Sequence, residues 1–170
     1  MPDCRARPTY ASATRFFGEP KVKISEICNR SVITVSKNAS ILEVVRDMRK
    51  HHIGDIIVTE HTDGIEKPLG IVTDRDIVIE LLAEEVALGT VDVGDVMSAT
   101  LVTAPHDADV FETLRFMGIK GVRRIPVLDD DGGLFGVLSV DDVMSILTKE
   151  LSFIAEISAK QIERERSFRE

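Results

Sequence analysis

Two stretches decide the reading of this chain: Gly70-Ile71-Val72-Thr73-Asp74-Arg75-Asp76 and Gly136-Val137-Leu138-Ser139-Val140-Asp141-Asp142. Each places a glycine, two apolar residues, a hydroxyl and, three residues further on, an aspartate. The apolar pair suits the end of a buried strand. Ser or Thr followed at that spacing by an acid is a helix-opening signal, so both stretches read as strand-to-helix turns. One such turn would be no more than a helix cap. Two of them, 66 residues apart, call for a search for a longer repeat.

Working backward from the turns, the copies align at an offset of 69 residues. Ile24-Ser25-Glu26-Ile27 falls on Val93-Gly94-Asp95-Val96, residues 41–48 on 110–117, and Ile56-Ile57-Val58 on Ile125-Pro126-Val127. The offset drops to 66 between the two β-rich runs of each copy, so the first copy carries a loop three residues longer, where chains tolerate insertion. Each copy predicts the same elements. An extended segment (32–35 or 101–103) precedes a helix that opens at Ser40 or Asp109, with Ile41, Val44, Val45 and Met48, or Val110, Leu114 and Met117, on its inward side. A hairpin follows, from runs 55–60 and 68–73, or 124–128 and 134–139. The second helix opens at Thr73 or Ser139. The expected fold is α/β (α+β), a tandem of strand-helix-strand-strand-helix units over residues 21–90 and 91–148.

The flanks differ. Pro2, Pro8 and Pro20 interrupt residues 1–20, which read as a mobile extension. Residues 149–170 are a helix candidate with Leu151, Ile154, Ile157 and Ile162 on one side, suited to packing on the repeats or on a second subunit.

Bulk properties exclude several functions. In 170 residues, 44% hydrophobic and 29% charged, a proper core can form. A net charge of −8 disfavours nucleic acid, whose affinity comes largely from Lys and Arg displacing counterions. No window approaches the ~20 apolar residues of a membrane span, and residues 1–17 lack the apolar stretch of a secretory signal, so no membrane role and a cytoplasmic location are expected. Cys4 and Cys28 have no C-x-x-C spacing and read as free thiols.

For chemistry, the two turns matter most. A helix N-terminus suits a phosphate, and a carboxylate one turn in can accept from a ribose diol. Arg75 lies inside the first turn, and a guanidinium presents a planar fork of donors suited to phosphate. Arg124 aligns with Asp55, so the two copies differ in charge at that place. His51 and His52 are adjacent and cannot share a metal on one helix face, and His61 and His106 are isolated. Asp129-Asp130-Asp131-Gly132-Gly133 lacks the ligand spacing of a calcium loop and reads as a hairpin turn. There is no nucleophile–base set and no P-loop, so neither catalytic nor metal residues are expected, nor an enzyme.

The repeated turn, the residues 32–35 segment and the Arg123-Arg124-Ile125-Pro126-Val127 run together resemble the CBS (cystathionine β-synthase) domain family, over about residues 21–148. That resemblance implies a stand-alone Bateman module: a pseudo-two-fold disc with two clefts that take AMP, ADP, ATP, NAD(H) or S-adenosylmethionine in different members. By position it implies ribose contacts from Asp76 and Asp142, ribose or phosphate contacts from Thr73 and Ser139, and phosphate contacts at a cleft mouth from Arg123 and Arg124, with Arg75 a further candidate. The unlike pair Asp55 and Arg124 then implies clefts of unlike charge. Adenine would lie around Ile33, Val102, Ile57 and Pro126. A homodimer and a downstream protein partner, of unknown identity, are further implications. The alternative is a structural dimerisation protein that binds no nucleotide, its paired turns serving only as caps.

Overall fold

The computed structural model describes residues 22–167; the segment expected to be mobile at residues 1–20, and Cys4 within it, lie outside this range. Two three-stranded sheets carry the fold. In the first repeat, β1 (Thr34–Ser36) runs parallel to β2 (Asp55–Thr62), which pairs antiparallel with β3 (Ile65–Thr73). Helix α1 (Ile41–His51) connects β1 to β2. After β3 comes α2, one α-helical turn (Asp74–Asp76) continued as a π-helix (Ile77–Leu82). The short helix α3 (Val93–Val96) leads into the second repeat. There β4 (Ala104–Pro105), α4 (Val110–Lys120), β5 (Arg124–Leu128) and β6 (Leu134–Ser139) repeat the order and the strand directions. Helix α5 (Val140–Ser167) closes the chain.

Local chemistry accounts for the helix starts. Ser40 caps α1 in a capping box with Glu43, and the Asp109 carboxylate accepts from the Phe111 and Glu112 N–H groups. Such caps stabilise a helix by about 1 kcal/mol each. At the far end, α1 stops at His52 and α4 at Gly121, both left-handed.

Three features depart from the sequence expectation. The three extra residues of the first copy are not loop: they lengthen the β2–β3 ladder past a bulge at Val58/Thr59 to a tight Asp63-Gly64 turn with φ of 55° and 80°. That mirror-image turn matches strand twist, so the ladder continues where a loop was expected. The paired strands β1 and β4 begin later than the extended segments at 32–35 and 101–103, because residues 31–33 and 100–102 first cross the groove between the repeats. The helix opening at Ser139 and the tail from Lys149 are one continuous helix.

The repeats exchange their leading segments. Ile24 is fully buried among Ala104, Val110, Met117, Ile125 and Leu138 of the second repeat. Val93, its equivalent, is fully buried among Ile41, Val44, Ile56, Val72 and Leu81 of the first. Backbone bridges lock the exchange: Asn29 pairs with Val137 and Ser98 with Ile71, each through two hydrogen bonds of 2.9–3.2 Å. This explains both motif glycines. A Cβ on Gly70 would stand 2.7 Å from the Ser98 carbonyl oxygen, and one on Gly136 would stand 2.8 Å from that of Asn29. The glycines open room for the neighbouring repeat's backbone.

Glu66 on β3 accepts hydrogen bonds from Thr34 (2.6 Å) and buried Thr59 (2.9 Å), which hold its carboxyl below the ordinary value of 4.5. A carboxylate depressed in the folded state contributes stability above 4.5 that is lost as pH falls through the lower, folded value. Glu66→Gln should therefore be less stable than wild type at neutral pH and lose less on acidification, a difference that urea unfolding at pH 7 and pH 3.5 would measure.

Candidate ligand-binding clefts

Two clefts open where the repeats meet. The first, about 280 Å³, joins the leading segment of repeat one (Asn29, Ser31, Ile33) to the terminal turn of repeat two (Ser139, Asp141, Asp142). The second, about 490 Å³, joins the terminal turn of repeat one (Thr73, Asp74, Arg75) to the leading segment of repeat two (Ser98, Thr100, Val102). The exchange of segments makes each cleft composite, so neither repeat builds one alone.

The sequence candidates divide between them. Ile33, Ile57, Ser139 and Asp142 line the first; Val102, Pro126, Thr73, Arg75 and Arg123 line the second; Arg124 reaches both. Asp76 does not line the second cleft. Its carboxylate is drawn back into the cap, where Oδ2 accepts from the Thr73 N–H (2.9 Å) and hydroxyl (2.8 Å) while Thr73 Oγ1 accepts from the Asp76 N–H. Asp142 and Ser139 form the same box, yet Asp142 lines the first cleft. Every hydrogen bond given to Asp142 uses Oδ2. Capping thus leaves Oδ1 for a further donor, and the two roles are compatible at that residue.

The first and third N–H groups of each helix start are engaged, the third by the capping hydroxyl. The Asp74 N–H donates to the Gly54 carbonyl (2.9 Å) and the Val140 N–H to the Arg123 carbonyl (3.0 Å). Anion binding here would therefore fall mainly to guanidinium groups.

The expected charge difference between clefts exists, but not at the expected pair. Asp55 and Arg124 each line both clefts and form an ion pair across the repeat boundary, Arg124 Nη1 to Asp55 Oδ1. Pseudo-symmetry sets these aligned positions side by side, so their charges cancel instead of separating. The difference comes from other positions: Arg75 lines the second cleft where the aligned Asp141 lines the first, and Arg123 lines the second cleft alone. The first cleft holds three carboxylates (Asp55, Asp141, Asp142) and one guanidinium, Arg124. The second holds three guanidiniums (Arg75, Arg123, Arg124) and two carboxylates, Asp55 and Asp74. Arg123 also meets Asp141 at 3.3 Å, but both are largely exposed and such a pair contributes about 0–1 kcal/mol.

Sequence reading passed over the polar positions Asn29/Ser98 and Ser31/Thr100, which line the two clefts at matching places. The offset of 69 that aligned the repeats also aligns these pairs, and it was the signal available. Cys28 is a free thiol, as expected; burial pushes it above its ordinary value against the opposing pull of Arg30. Among the described residues no group of His, Cys, Asp and Glu is placed to hold a metal, and no helix is long and apolar enough to cross a membrane.

Comparison with known proteins agrees with the repeat. Residues 24–83 and 93–149 each match the CBS domain. The chain belongs to the CBS domain family. An uncharacterised protein of Methanopyrus kandleri is 34% identical over 74% of this chain, a match that spans 62% of that protein's own length. The CBS pair also superposes on a putative signal-transduction protein with CBS domains from Burkholderia ambifaria, 26% identical, with a TM-score of 0.64 over 74% of this chain and 93% of that one. A further likeness, of fold, is to a CBS domain pair solved with 5′-methylthioadenosine and S-adenosyl-L-methionine: 24% identical, TM-score 0.66, covering 77% of this chain and 99% of the other.

Proposed function

We propose that this CBS pair is a cytoplasmic regulatory module, not an enzyme, that binds adenosyl ligands in its two clefts and passes their presence on as a change in repeat-to-repeat geometry or in pairing with a second copy. The observation that carries the reading is the unlike charge of two composite clefts with apolar walls. In the second cleft Val102 and Pro126 offer an apolar surface for adenine, while Arg75, Arg123 and Arg124 offer forked donors for a phosphate, as in AMP, ADP, ATP or NAD(H). In the first cleft Ile33 and Ile57 offer the apolar surface, and Asp142 offers a carboxylate oxygen to a ribose diol. Its excess of carboxylates favours an adenosyl ligand without phosphate, such as S-adenosylmethionine with its sulfonium cation. A protein of the same fold holds ligands of that kind.

Because the clefts span the boundary between repeats, a ligand in either contacts both and favours the geometry in which it makes more contacts. Calorimetric titration with AMP, ATP, NADH and S-adenosylmethionine tests this. Saturable binding of a phosphorylated ligand that Arg75→Ala weakens about tenfold, with S-adenosylmethionine unaffected by that change, is the expected result. No heat and no thermal shift with any of the four would overturn the reading and leave a purely structural pairing protein.

A further inference from the structure

Helix α5 carries an apolar stripe that the other described residues leave uncovered beyond Leu147. At about 1.5 Å per residue, residues 148–167 extend roughly 30 Å, and all of them are exposed. Leu147, Leu151 and Ile154 recur at three- and four-residue spacing, and Ser158 and Gln161 continue the same stripe. Leu151 and Ile154 are 65% and 60% exposed. Ile157 and Ile162 flank the stripe, also exposed. A free helix with such a stripe lacks the packing from which most helix stability in proteins comes.

The flanking charges identify the occupant. Glu150 and Arg164 lie on the same edge of the stripe, two heptads apart. Set the helix against a second copy running in the opposite direction, with the two-fold axis at Glu156. Leu151 then faces Gln161 of the second copy, Ile154 faces Ser158, and Ile157 faces its own equivalent beside the axis. In the same register Glu150 meets Arg164 of the second copy, twice by symmetry. A parallel pair does none of this: it sets Glu150 against Ala155 and stacks Ser158 on Ser158 and Gln161 on Gln161. We infer that α5 is the interface for a second copy of this chain, paired antiparallel about Glu156. The inference rests on the helix and is independent of the ligand reading.

Cysteine cross-linking in the full-length chain tests it, with wild type as the control for Cys4 and Cys28. A mixture of Leu151→Cys and Gln161→Cys chains should form a mixed disulfide between copies, while Leu151→Cys alone should not link to itself. Glu150→Arg should lower the mixed-disulfide yield about tenfold, since two attractions become repulsions, and adding Arg164→Glu should restore it. All four positions are exposed and line neither cleft, and only Glu150 borders the second-repeat core, at the rim of a groove with Val110 and Val143. Unaltered circular dichroism and melting are therefore expected for the other three and are the control for Glu150→Arg. Self-linking of Leu151→Cys would replace this arrangement with a parallel one. No link above control, or a charge swap without rescue, would overturn the pairing and assign the stripe to another protein or to the body of the same chain.

Discussion

Ile24→Ala is expected to lower the stability of the whole protein by about 3 kcal/mol and its melting temperature by about 10 °C. The damage should fall on the repeat to which Ile24 does not belong by sequence. Its side chain is fully buried against Ala104, Val110 and Ile125, so truncation leaves a cavity beneath α4 and β5. Hydrogen exchange should accelerate first in the second repeat. Val93→Ala should do the converse, opening the first repeat around Ile41 and Val72. Gly136→Val attacks the same docking from outside. Its new side chain would press on the Asn29 carbonyl and the Cys28 sulfur, at 2.8 and 3.0 Å from the Cβ alone, and force apart the Asn29–Val137 bridge. Overpacking of this kind costs about 1–3 kcal/mol, more where backbone must move. An Ile24→Ala chain that melts like wild type, or loses protection only in its own repeat, would contradict the reciprocal exchange.

That exchange marks the boundary of what the sequence made legible. Element order within each repeat could be read because it depends on local spacing: the short apolar run at Ile56-Ile57-Val58, the caps at Ser40 and Asp109, and the hydroxyl-to-acid spacing at Thr73 and Ser139. Which copy receives Ile24 could not, because the same apolar residue satisfies either core and nothing local distinguishes them. The clefts inherit that ambiguity. Ser139 and Asp142 sit with Ile33, and Thr73 with Val102, only because the leading segments cross over. Residue types at the site were legible and their grouping was not. Asp76 shows a second limit, since the same hydroxyl-x-x-Asp pattern gives an aspartate that only caps in one repeat and one that caps and lines a cleft in the other. The hydroxyl-to-acid spacing is shared; the position of the groove relative to it decides.

Asp55 and Arg124 lead to the second large effect, because one ion pair belongs to both clefts. A phosphate in the second cleft competes with Asp55 for the Arg124 guanidinium. Drawing Arg124 toward it leaves the Asp55 carboxylate facing the first cleft with less compensation, which favours a cationic ligand there. Opposite changes should therefore follow from removing either partner. Arg124→Ala should weaken a phosphorylated ligand about a hundredfold, since it removes charge-assisted hydrogen bonds worth about 1.5–3 kcal/mol and leaves Asp55 uncompensated. Asp55→Asn should instead tighten that ligand several-fold and weaken S-adenosylmethionine. Both should cost stability by only about 1–2 kcal/mol, less than a fully buried pair, because Arg124 remains 40% exposed although Asp55 is 12% exposed. In wild type, saturating S-adenosylmethionine should tighten AMP, and AMP should tighten S-adenosylmethionine by the same factor, as reciprocity of binding free energies requires. Calorimetry of each ligand with and without the other, in all three chains, measures both effects. Equal losses for both ligands in both variants would make the pair a structural clasp, whereas opposite signs would make it the element through which each cleft responds to the other.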